Sequence, residues 1–165
     1  MSDGIDWLPG LVYRADSVEL SDYLDILFNH FANDFVSNPP QIHGRPVRVR
    51  KSPETNGRHY TFWHIVSDGK CPEELRELRP ERCERILWPR EIIARCADPV
   101  LCRWRAIREG QLRGLIALPD FTYLVVLSLR GENAPMLITA YDVEYKRQRK
   151  RLAEEWEEWQ KTKTP

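Results

Sequence analysis

At 165 residues the chain is long enough for one domain whose core needs neither metal nor disulfide to close it. Its 42% hydrophobic and 30% charged residues are ordinary for a folded, water-exposed protein, and no apolar run approaches the ~20 residues of a membrane helix. The net charge of zero hides a split: residues 1–40 carry Asp3, Asp6, Asp16, Glu19, Asp22, Asp25 and Asp34 against Arg14 alone, so the remainder is net +6.

The N-terminus lacks the basic-then-apolar order of a signal peptide, which makes the cytoplasm the expected compartment. SDYLDILFNHFANDFVSNPP is expected to be a helix. Ser21 stands at the N-cap, Leu24, Ile26, Leu27, Phe31 and Phe35 recur at roughly helical spacing, and Pro39–Pro40 end it. His30 lies inside that helix as a structural residue, and His43 falls in the loop beyond. RPVRVR alternates at period two, as a short strand with basic residues on one face does. Arg45, Arg48, Arg50, Lys51 and Arg58 form a basic cluster that can attract a polyanion or simply solvate an exposed strand and loop.

HYTFWHIV is rich in aromatic and β-branched residues and is closed by the turn signal SDGK, so a strand is expected over 59–66. Residues 71–83 are charged and show no clear period, and a helix should start at Pro89 in ILWPREIIARC. From there the chain reads as an antiparallel meander: RWRAIR, GQLRGLIAL, DFTYLVVLSLR and APMLITAYDV, separated by REG, LPD and RGEN. FTYLVVLSL is apolar on both faces, which suits the middle of a sheet. VEYKRQRKRLAEEWEEWQK is a closing helix with Leu152, Trp156 and Trp159 near one face and Lys146, Arg147 and Arg149 left for phosphate contact. The expected architecture is α+β: N-terminal helices on a four- to five-stranded antiparallel sheet, with a C-terminal helix, over residues 1–165 as one domain.

Strand parity at 59–66 places Tyr60, Phe62 and His64 on one face, and His59, Thr61, Trp63 and Ile65 on the other. The two histidines then cannot share a metal. Either one can move a proton, since its ordinary pKa lies near ~6.5, or be a hydrogen-bonded core residue. By the same parity Leu137, Thr139, Tyr141 and Val143 share a face, so Thr139 and Tyr141 can project into a cleft or lie in a packed sheet face. RPERCERILWPR sets Arg79, Arg82, Arg85 and Arg90 among Glu81, Glu84 and Glu91, which suits phosphate recognition or a solvated charge run. Cys71, Cys83, Cys96 and Cys102 form no CxxC pair and read as reduced thiols rather than a zinc cage or disulfides. No P-loop, GxGxxG, GxSxG or HExxH occurs. Histidine, arginines, threonine and tyrosine on a small sheet suit RNA cleavage in which the 2′-hydroxyl attacks the adjacent phosphorus.

The order FWH, then RCERI-W-PR-II, then LVVL, then TAY-VEY before a basic helix resembles the phage-associated barnase–EndoU–colicin–RelE-like nucleases over residues ~20–160. The resemblance implies N-terminal helices packed on a four-stranded antiparallel sheet. It also implies a metal-independent endoribonuclease without cofactor, a toxin of a phage-related or toxin–antitoxin system. RNA, whether tRNA or mRNA, and a protein antitoxin are the implied partners. Matched position by position, His64 is the histidine of FWH, Arg82 and Arg85 the arginines of RCERI, and Thr139 with Tyr141 the T-x-Y of the last strand. Beside these five catalytic candidates, Arg48, Arg50, Lys51, Arg58, Lys146, Arg147 and Arg149 are the candidate RNA-binding residues. His59 belongs to no matched block. A non-enzymatic phage-related binding module and a small-molecule phosphodiesterase are the competing readings.

Overall fold

The structure, a computed structural model, describes residues 5–69, 77–129 and 135–163; Lys70, Cys71 and most of the RGEN turn lie outside them. Helix α1 spans Leu20–Ala32 and continues as a π-helical turn over Asn33–Ser37 before the prolines stop it. Its N-cap is Glu19 rather than Ser21, and the Tyr23 amide donates to the Glu19 carbonyl. Tyr23, Leu27 and Phe31 face inward, one turn apart.

The basic segment forms less strand than its alternation suggests. Only Arg45–Pro46 (β2) pairs, with Gln41–Ile42 (β1), through a tight turn in which His43 and Gly44 both have positive φ. Val47 is buried and Arg48 points out, and Arg48 makes a single parallel bridge to Met136. The expected strand over 59–66 is a helix, α2, spanning Tyr60–Val66. A short apolar run does not distinguish strand from buried helix, and here packing decides. Thr61, Phe62, Trp63, Ile65 and Val66 are all buried, which a two-sided strand beside this sheet could not achieve. Its first free amides, of Tyr60 and Thr61, donate to the Lys51 and Arg50 carbonyls.

Ser67–Asp68 (β3) pairs with Glu77–Leu78 (β4), and two short helices follow, α3 at Pro80–Glu84 and α4 at Trp88–Ala94, each with proline in its first turn. The meander is present in order as β5 (Cys102–Arg108), β6 (Gln111–Ala117), β7 (Tyr123–Ser128) and β8 (Met136–Asp142), a four-stranded antiparallel sheet. Glu109 and Gly110, both at positive φ, make the two-residue turn between β5 and β6. β7 is interior, and its Tyr123, Val125 and Leu127 face the α1–α4 layer while Leu124 and Val126 face the other side. Helix α5, Lys146–Lys163, covers that other side with Leu152, Trp156 and Trp159. The result is three layers and two cores divided by one sheet.

One parity expectation fails in β8. A bulge there sets Thr139 opposite Val126 but Leu137 opposite Leu127, so Ile138 is the extra residue. Leu137 and Ala140 enter the core beneath α1–α4, while Ile138 and Tyr141 border the core beneath α5. Leu137 and Tyr141 therefore do not share a face.

Candidate active site

Misreading α2 as a strand changes how its histidines are separated, but they are separated nonetheless. His59 is the N-cap of α2, packed 5.5 Å from the Phe28 ring and 5.7 Å from that of Phe31. Its Nδ1 is buried without a hydrogen-bond partner, and burial holds its pKa below the ordinary value, against the pull of Glu54. That is a neutral ring in an aromatic core.

His64 lies on another side of the helix, one turn after Tyr60, with the two rings 4.2 Å apart. The Arg50 guanidinium lies 4.3 Å above the Tyr60 ring, so cation, phenol and imidazole form one stack. This stack lines a cleft of about 520 Å³, and Arg82, Thr139 and Tyr141 line it from α3 and β8. Asp68, Glu109 and Arg113 are further charged residues on its wall. His64 Nε2 is sealed from solvent, so proton exchange with a bound substrate runs through Nδ1 or requires the ring to turn.

The polar atoms around His64 hold its backbone as well as face the cleft. Thr139 Oγ1 donates to the His64 carbonyl at 2.7 Å. Arg82 Nη1 donates to the Ser67 carbonyl at 2.7 Å and approaches that of His64 at 3.4 Å. These carbonyls end a helix and have no partner within it, so side chains from β8 and α3 satisfy them. The Arg82 guanidinium also lies 5.1 Å from the Tyr141 ring centre. Burial raises the Tyr141 pKa, opposed by Arg82 and Arg108, so the phenol keeps its proton near neutral pH and acts as a donor.

Arg85 does not line this cleft. It caps α3 with non-helical φ −96° and ψ 23°, its Nη1 donates to the Glu81 carbonyl at 2.9 Å, and its guanidinium lies 5.0 Å from the Trp88 ring. The chain turns at Arg85, so the i,i+3 relation with Arg82 does not carry both to one surface. Among the basic candidates, Arg50 is in the cleft. Arg58 is engaged with Asp25 and lies near Trp63, Lys51 pairs with Glu54 at 3.5 Å, and the exposed Arg48 sits at the bridge to β8. Lys146, Arg147 and Arg149 lie on a separate side of α5 beside Phe121, with Arg149 donating to the Val143 and Glu144 carbonyls.

Two cleft residues escaped the sequence reading. Tyr60 stood on the same face as His64 in either reading but carried no motif. Arg113 sits in the strand GQLRGLIAL, where no spacing distinguishes it from a solvated arginine. Among the described residues no three His, Cys, Asp or Glu side chains gather as a metal site, and Cys83, Cys96 and Cys102 are free thiols. No helix among them is long and apolar enough to cross a membrane. No protein-family model, curated protein or solved structure matches the chain.

Proposed function

We propose that the chain is a metal-independent endoribonuclease of the barnase–EndoU–colicin–RelE-like kind, acting in the cytoplasm as the toxin of a phage-related or toxin–antitoxin system. One observation carries the reading: His64, Arg82, Thr139 and Tyr141, taken from three separate motif blocks, line a single cleft with Arg50. The α+β architecture is compatible with it, because the sheet edge and α2 bring an imidazole beside arginines and a protonated phenol.

In this mechanism the substrate phosphate lies between Arg50 and Arg82, whose guanidinium groups meet the charge that grows on its oxygens. His64 moves one proton, either from the 2′-hydroxyl or to the departing 5′-oxygen. Tyr141, kept protonated, donates a hydrogen bond to the phosphate or the leaving oxygen. Thr139 and the Nη1 of Arg82 fix the end of α2 and with it the ring of His64.

The test is cleavage of RNA in the presence of a chelator. The products should end in a 2′,3′-cyclic phosphate, and a 2′-deoxy sugar on the 5′ side of the cut should be bound but left whole. His64→Ala should lower the rate by about 10²–10⁴ with the fold intact. Activity lost to EDTA and restored by a divalent metal, or equal cleavage of the deoxy substrate, would overturn the proposal.

A further inference from the structure

A second hollow, of about 570 Å³, adjoins the cleft. The two share Glu109, Arg113, Ile138, Thr139 and Tyr141, so they form one groove bent around the bulged edge of β8. Its floor is Leu115, Leu124 and Val126, apolar residues of β6 and β7 on the side facing α5. Its rim is charged but not evenly so. Arg108 Nη2 holds both oxygens of Glu155, at 2.8 and 3.0 Å, and Trp104 Nε1 donates to that carboxylate at 2.6 Å. The Glu155 charge is thereby matched within the protein. Arg113 and Arg151, on opposite sides of the hollow, make no ion pair or side-chain hydrogen bond among the described residues. Gln148 is the one neutral amide on the rim.

A hollow of this size with an apolar floor and a few convergent polar groups is built for a ligand rather than for solvent. The ligand must pair a flat apolar face with negative charge, and a nucleotide does both. We infer that this hollow is a nucleobase subsite for the nucleotide next to the scissile phosphate. The base lies on Leu115, Leu124 and Val126, its edge meets the Gln148 amide, and its phosphate lies between Arg113 and Arg151. An amide that both donates and accepts can distinguish base edges, so Gln148 makes the subsite selective. The link to cleavage rests on the ribonuclease reading; the binding of a nucleotide does not.

The experiment titrates the full chain calorimetrically with the four nucleoside 3′-monophosphates and with ribose 5-phosphate as the baseless probe. At least one nucleotide should bind about ten-fold or more tighter than ribose 5-phosphate, as stacking a base on a protein surface provides. Val126→Phe, which fills the floor, should remove that advantage, with thermal unfolding reporting whether the variant folds. Arg151→Gln, at an exposed position of α5, perturbs no packing and should weaken the favoured nucleotide about three-fold or more. Equal affinity for the sugar phosphate and all four nucleotides overturns the inference, and so does a preference unchanged by Arg151→Gln. RNA cleavage is read separately. A chain that cuts RNA but binds bases no better than sugar loses the subsite and keeps the ribonuclease reading. One that discriminates bases but leaves RNA whole keeps the subsite and loses that reading.

Discussion

Replacing Thr139 by valine keeps the shape and β-branching of the side chain and removes only the hydroxyl, which donates to the His64 carbonyl at 2.7 Å. That carbonyl would retain Arg82 Nη1 at 3.4 Å, a weak contact, so it becomes poorly satisfied at a half-buried position. A lost hydrogen bond costs about 1 kcal/mol, and an unsatisfied buried acceptor somewhat more, so Thr139→Val should cost ~1–2 kcal/mol. For a chain of this size that is a fall of roughly 3–6 °C in Tm. If the hydroxyl serves to hold α2, its loss shifts the His64 ring, and kcat should drop about ten-fold with KM little changed, since small misplacements are amplified in rate. Thr139→Ser should restore both stability and rate. Calorimetry and steady-state cleavage of the same preparations decide it. A rate loss of about 10³ with no change in Tm would mean the hydroxyl touches substrate and the positioning argument is wrong.

Other outcomes follow from buried and exposed charges. Asp34 is 7% exposed, and burial raises its pKa to about 6, against the pull of Arg90. Its folded pKa exceeds the unfolded value of 3.8, so stability is full below that value and is lost as pH rises through about 6. Asp34→Asn should therefore stabilise the protein at pH 8, by at most about 3 kcal/mol, and an Asn variant less stable there than the parent would contradict this. His59 has the opposite sign: its pKa is held below the ordinary value by burial, so stability present above ~6.5 is lost as pH falls through its folded pKa. His59→Phe, which suits the surrounding phenylalanines, should remove that acid-side loss, and an unchanged acid limb of the stability curve would show the ring is not desolvated. Neutralising Lys146 and Arg147 should reduce the salt slope of RNA binding by about 1.4 while leaving kcat unchanged, because each is an exposed cation away from the cleft; an unchanged slope returns them to solvated surface.

The meander and α5 were legible because their signals are local. Alternation, the REG turn and the apolar FTYLVVLSL each report on residues within a few positions. The helix α2 was not legible because its capping is not local: its first amides are met by the Arg50 and Lys51 carbonyls, and its last carbonyls by Thr139 and Arg82. No Ser, Asp or Gly marks either end, and the aromatic content points to a strand. The same non-local capping explains why Arg82 and Arg85, equal in the motif, differ in space. Arg82 is drawn to the end of α2, whereas Arg85 stands where α3 has already ended and turns to Trp88. Thr139 and Tyr141 reach the cleft although the bulge at Ile138 breaks the simple alternation that first grouped them with Leu137.

The bulge has a consequence for the site as a whole. Regular alternation in β8 would give each side chain to one of the two cores, leaving little to meet a ligand at the edge. Inserting Ile138 keeps Leu137 and Ala140 in one core and gives Ile138 and Tyr141 to the border of the other. Thr139 remains between them, close enough to α2 to hold the His64 carbonyl. The strand thus ties the ring of His64 to the sheet and at the same time opens the passage between the two hollows, which meet at Ile138, Thr139 and Tyr141. Position of the imidazole and access to the second hollow therefore depend on one backbone irregularity. A substitution that disturbs it must change stability, rate and nucleotide preference together, whereas Arg151→Gln should change the last alone.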